Sequence, residues 1–340
     1  MKRIVLALGL VLSGVSWAAD PVTLDRNGVL WRLTATSSGT VLVGVKDGEE
    51  VARSLVPFPL GLAGQNDSHL QLVADELTGK VVVAWQRNWT ANFSDVVLAV
   101  WNAEGWERIT YLTGDASLRA RNPVLKLARV TSSYPDPEDP EKTVTVSESF
   151  ALVLWWQGDN GDQQARLASL NLTAPGDDDK AVSVVTLDGQ LGFGIGCSQS
   201  LPQEVLEHPI FAAGAPGPVV HVLAASPSTC LLFVHEIRFE LQPPPSTGEE
   251  QGGLGAVALR RRHTPIFGVR KVLPVTRELS AEGTRAVLGA DLQPVLYRVV
   301  PEGVEYIVAI DQGWSPKRLL KLEEGLSLDR AIALVENLAR

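Results

Sequence analysis

Leu70-Gln-Leu-Val-Ala, Val81-Val-Val-Ala-Trp85, Val96-Val-Leu-Ala-Val-Trp101 and Trp106-Glu-Arg-Ile-Thr-Tyr-Leu112 follow one another along the chain. Each is rich in β-branched and aromatic residues, and turn-forming Gly, Asn and Asp punctuate the joins, so the stretch reads as four consecutive strands. The last run alternates apolar and polar positions, the pattern of an outer strand with one wet face. A second copy ends in Val308-Ala-Ile310, Gly313-Trp314-Ser-Pro-Lys-Arg-Leu-Leu. Four-strand units returning at roughly 40–50 residues are the periodicity of propeller blades.

Counting the fourth strands gives five units. They are Val51-Ala-Arg-Ser-Leu-Val56, Glu107-Arg-Ile-Thr-Tyr-Leu112, Val182-Ser-Val-Val-Thr-Leu187, Val269-Arg-Lys-Val-Leu273 and Lys317-Arg-Leu-Leu-Lys-Leu322. Two segments rich in Pro, Gly and charge, 132–142 and 242–253, lengthen the spacing and read as mobile surface insertions. The expected fold is all-β: a β-propeller of about five, or six, four-stranded blades over residues 19–325. A pair of β-sandwich domains would give similar strand density. The first unit holds only three strand runs between Gly28 and Pro57. Residues 326–340 are therefore either a strand that closes the ring, through Ala331-Ile-Ala-Leu-Val335, or a C-terminal helix. The helix is favoured by the 3.6-residue stripe of Leu328, Ala331, Ile332, Val335 and Leu338, with Ser327 as cap.

This rhythm resembles that of secreted bacterial β-propellers of the broad sialidase-like (BNR-type) class. The resemblance implies a propeller fold and carbohydrate-related chemistry, although the Asp-box of that class, Ser-x-Asp-x-Gly-x-x-Trp, is absent.

The N-terminus has the layout of an export signal. Lys2 and Arg3 precede an apolar run from Ile4 to Val15, and Ser16-Trp17-Ala18 offers small residues for cleavage before Ala19. Residues 1–18 are thus expected to be a signal peptide that sends the chain to the periplasm or beyond. The chain carries 30 basic and 39 acidic residues; loss of Lys2 and Arg3 leaves 28 against 39, a net charge of about −11. Such acidity disfavours nucleic acid as a partner. No integral membrane segment is expected after cleavage, and the chain is expected to be a monomer. In an exported chain the two cysteines, Cys197 and Cys230, are expected to pair. The closed loop of ~33 residues would stabilise the fold by ~3–4 kcal/mol.

The residues do not assemble a catalytic set. His235-Glu236 begins like a zinc-protease motif, but Phe239 occupies the position of the second histidine. None of the five histidines (His69, His208, His221, His235 and His263) pairs with another at metal-ligand spacing, so neither metal nor cofactor is expected. The acidic clusters at 136–141 and 177–179 lack calcium-loop spacing. No phosphate loop or GxSxG is present, and the sequence alone assembles no Ser/His/Asp set. Asn122-Pro123 and His208-Pro209 stand where glycosidase propellers start inner strands with Asp-Pro. Aligning the units places His69, Arg121, Asn122 and His208 at the channel mouth. The expectation is a non-catalytic scaffold binding a protein or glycan there; a carbohydrate-active enzyme with an atypical site is the alternative.

Overall fold

The computed structural model describes residues 21–36, 39–56, 67–90, 92–113, 119–136, 139–158, 164–174, 182–187, 210–213, 219–226, 231–242, 261–274, 284–289, 291–310, 313–323 and 326–339. Cys197, Cys230 and His208 lie outside them, as do residues 1–18, read above as a signal peptide, and most of the 242–253 segment.

The described residues form five antiparallel meanders. Sheet 1 is β1 (Val22–Leu24), β2 (Leu30–Thr36), β3 (Gly39–Lys46) and β4 (Glu49–Leu55). Sheet 2 is β5 (Asp67–Ala74), β6 (Val81–Asn88), β7 (Ser94–Asn102) and β8 (Gly105–Tyr111). Sheet 3 is β9 (Ala120–Pro135), β10 (Thr143–Gln157), β11 (Gln164–Asn171) and β12 (Val182–Thr186). Meander 4 comprises β13 (Ile210–Ala213), β14 (Val219–Ser226), β15 (Leu231–Gln242) and β16 (Arg262–Pro274). Meander 5 comprises β17 (Arg285–Leu288), β18 (Pro294–Val300), β19 (Gly303–Ile310), the two-residue β20 (Gly313–Trp314) and β21 (Arg318–Lys321). The first strands of the last two meanders, β13 and β17, pair in parallel through Ala212 and Ala286 and fuse them into one sheet.

The core explains the strand patterns. Trp31, Leu33 and Leu42 of sheet 1 meet Trp85 and Val97 of sheet 2. The opposite face of sheet 2, with Val82 and Leu98, meets Trp155 and Leu170 of sheet 3. Sheet 3 then packs Leu152, Trp156 and Leu167 on Val222 and Ile237, and the next interface joins Leu223 and Val234 to Leu296 and Ile307. A middle sheet is therefore covered on both faces, which is why β6 is buried almost throughout whereas β4 at the edge alternates. Sheets stacked in series, with the inner ones covered on both faces, do not make paired sandwiches. Adjacent Trp155 and Trp156 point to opposite faces and fill two successive interfaces.

The favoured helix is found at the C-terminus in place of the alternative closing strand, and one expectation is corrected. Sheet 1 gains its fourth strand from β1, too short to register as an apolar run, and not from the C-terminus. The tail is instead helix α1 (Leu328–Glu336), with the Ser327 side chain accepting from Arg330 N at 3.3 Å. Ala331 and Val335 pack on Val287, Val295, Tyr297 and Val304, so α1 covers the far face of meander 5. The segment 132–142 is not a loose insertion either. β9 runs to Pro135, and cross-strand bonds Thr131–Ser147 (2.9 Å) and Ser133–Thr145 (3.0 Å) hold the hairpin. A run of hydroxyl residues pairs across strands as well as it solvates a loop.

Candidate functional site

Two of the aligned residues share an unusual backbone. His69 and Asn122 both have φ of 52°, the left-handed region that non-glycine residues seldom occupy. The cause is a β-bulge repeated in two sheets. In sheet 2 the register passes from Ser68↔Gln86 to Gln71↔Ala84, leaving His69 and Leu70 opposite Trp85 alone. In sheet 3 it passes from Arg121↔Trp156 to Val124↔Leu154, leaving Asn122 and Pro123 opposite Trp155 alone. Both tryptophans are fully buried. The proline fits here because a bulged residue owes no ladder hydrogen bond.

A chain of amides and hydroxyls joins the two bulges. The Asn122 backbone N–H donates to Gln86 Oε1 at 3.1 Å, and Gln86 Nε2 donates to Asn88 Oδ1 at 2.7 Å. Asn88 Nδ2 donates to Ser68 Oγ at 3.2 Å, which lies 3.2 Å from His69 Nδ1. The Ser68 hydroxyl thus has a proton to give to Nδ1, which favours the tautomer protonated at Nε2. His69 is exposed; Arg121 and Asn122 are half-buried. Of the residues aligned from the sequence, His69 and Asn122 are linked through this chain, and Arg121 adjoins it.

The other face of the same sheet end is aromatic. Arg87 forms a bidentate pair with Asp67 at 3.0 and 3.1 Å and donates to Tyr111 Oη at 3.3 Å. Its guanidinium lies 5.2 Å from the Trp85 ring and 5.9 Å from the Trp89 ring. Trp89 stacks on Phe93 at 6.4 Å with an interplanar angle of 10°, and lies 6.3 Å from Tyr111. Thr90 Oγ1 accepts from Asn92 N and Phe93 N, setting the turn that presents both rings. Trp89 and Phe93 are half-buried and Tyr111 is 38% exposed, so ring surface remains accessible.

Carboxylates at this end are committed inward. The Asp67 side chain is 1% exposed and tied to Arg87. Asp95, across β6 from Asp67, accepts from the Thr113 hydroxyl and from Thr113 N. Burial pushes its carboxyl above the usual range, against the opposing pull of Thr113 and Arg87. Neither is placed to flank a glycosidic bond as a pair of working carboxylates must.

A second polar focus lies in meander 4. His221 Nε2 is 3.5 Å from Glu236 Oε2, and Glu236 also pairs with Arg238 and, at 2.7 Å, with Arg270. Burial lowers the His221 pKa despite Glu236. Among the described residues no group of three His, Cys, Asp or Glu could hold a metal ion. No described helix is long and apolar enough to cross a membrane.

No protein-family model matches the chain, and no curated protein matches it. Among solved structures it is similar to a triple-arginine mutant of AofleA from Arthrobotrys oligospora, with 14% identity and a TM-score of 0.35, covering 88% of this chain and 70% of that one. It is also similar to xylan beta-1,4-xylosidase from Bacillus halodurans, with 12% identity and a TM-score of 0.30, covering 88% of this chain. The alignment spans about half of the xylosidase, 54% of its length. Likeness at that level carries no argument about this protein, whose architecture is read from its own sheets.

Proposed function

We propose that the chain is an exported, monomeric β-propeller of five blades that binds a glycan at the end of sheet 2 without transforming it. The observation that carries this reading is that one sheet end presents accessible rings (Trp89, Phe93, Tyr111) on one face and a row of polar donors and acceptors (His69, Ser68, Asn88, Gln86, Asn122) on the other. A sugar offers C–H faces that pack on aromatic rings and hydroxyls that pair with amides. A neutral polyol also suits a site where Arg87 is already neutralised by Asp67. Export through residues 1–18 and a Cys197–Cys230 disulfide belong to the same proposal. A glycan microarray probed with the folded chain, followed by calorimetry on the hits, tests it. Binding that weakens on Trp89→Ala and on Gln86→Ala is expected. No retained glycan, or hits indifferent to both changes, overturns the reading.

A further inference from the structure

Ser132 and Glu148, from the two strands of the β9–β10 hairpin, meet His263 of the sequence-distant β16 in one line. His263 Nδ1 lies 2.7 Å from Glu148 Oε2, and His263 Nε2 lies 2.8 Å from Ser132 Oγ. The same Glu148 oxygen accepts the His263 backbone N–H at 2.5 Å, and Asn171 Nδ2 donates to Oε1 at 2.7 Å. Glu148 is therefore held on both oxygens. A carboxylate against Nδ1 keeps the proton on that nitrogen, so Nε2 presents a lone pair to the Ser132 hydroxyl. The His263 side chain is fully buried, while Ser132 is half-buried on the outer stretch of β9.

We propose that this line is a nucleophilic serine centre acting on carboxylic esters. Nucleophile, base and orienting acid stand at the separations such chemistry requires, whatever their order in the chain. Ser132 Oγ bonds to the ester carbonyl carbon as its proton passes to His263 Nε2. The carbon–alkoxide bond breaks, and the leaving oxygen takes that proton away as the free alcohol. Water, deprotonated by Nε2, then attacks the acyl carbon; Ser132 leaves with the proton and the carboxylic acid departs. Glu148 positions His263 without touching substrate. Arg261 supplies a cation for the developing oxyanion. Its guanidinium sits 4.3 Å from the Tyr134 ring, and Tyr134 is two residues along β9 on the same face as Ser132. Sequence alone hid the arrangement because no short motif surrounds Ser132.

Reacting the full chain with a fluorophosphonate probe and mapping the peptides tests the proposal. An adduct on Ser132 is expected, absent in a Ser132→Ala chain that still melts cooperatively. Labelling should slow by roughly 100-fold in Glu148→Gln, which keeps the side chain's shape but puts a donating amide in place of one accepting oxygen and removes the charge. A folded chain that leaves Ser132 unmodified overturns the proposal. So does labelling at the same rate in Glu148→Gln and His263→Gln, since the line would then be only a polar staple between meanders 3 and 4.

Discussion

Asp67 grips Arg87 through both carboxylate oxygens, with the two side chains 1% and 5% exposed. Removing one partner strands the other in a dry site. Asp67→Ala should therefore lower unfolding free energy by about 3–5 kcal/mol in denaturant titrations. Replacing both residues with apolar ones, Asp67→Leu with Arg87→Met, should cost less than the single change. Equal losses would mean that water reaches Arg87.

The exposed rings should matter for binding and little for folding. Trp89→Ala is expected to weaken glycan affinity about tenfold or more, consistent with a contact of about 1–3 kcal/mol. Its unfolding midpoint should stay near wild type. A large stability loss with unchanged affinity would mark Trp89 as core.

His235 gives the protein a pH dependence. Burial lowers its pKa from 6.5 to about 4. The unfolded chain then binds a proton that the folded chain refuses between those values, so stability falls as pH drops from about 6.5 to 4. The loss is of order 3 kcal/mol, and lowered His221 adds in the same direction. Raised Asp95 opposes them, because the folded chain holds its proton more readily. His235→Gln should flatten the slope in melts at stepped pH, unless a steepness independent of His235 shows that the carboxylates control this window.

Helix α1 is pinned by one hydrogen bond in particular. Tyr297 Oη donates to Glu336 Oε1 at 2.5 Å, and burial first, then Glu336, pushes the phenol up to about 12. Stability should fall as pH rises from about 10 to 12, where the unfolded phenol ionises first. Tyr297→Phe should remove that alkaline step and cost about 1–3 kcal/mol. An intact alkaline step in Tyr297→Phe would assign it to another group.

The β9–β10 hairpin separates what was legible in the sequence from what was not. Replacing 136–142 with a Gly-Asn turn should leave the melt nearly unmoved, since loop closure depends weakly on length. Removing 132–142 should cost about 2 kcal/mol or more, because it also takes away the Ser132 contact to His263 and the Tyr134 ring beneath Arg261. Equal melts for the two deletions would refute the pairing. Composition alone cannot tell these halves apart: Ser, Thr and Tyr suit a solvated loop and an outer strand equally. Strands with strong periodicity, such as those ending in Trp85 and Trp101, were readable, and so was the opposite pointing of Trp155 and Trp156. The alignment of repeats brought out His69 and Asn122, but no local pattern marks the polar chain through Gln86 and Asn88. Contacts such as Glu148 to His263 depend on how meanders stack, information carried by no single segment.

The shared bulge opposite Trp85 and Trp155 has a consequence for how such a protein can change over generations. The backbone detour is the same in both sheets, yet one copy displays an imidazole at that position and the other a carboxamide. Scaffold and displayed side chain are thus separately heritable. Drift at residues 69 and 122 can retune what the sheet ends recognise while the buried indole behind each keeps the fold indifferent to the exchange.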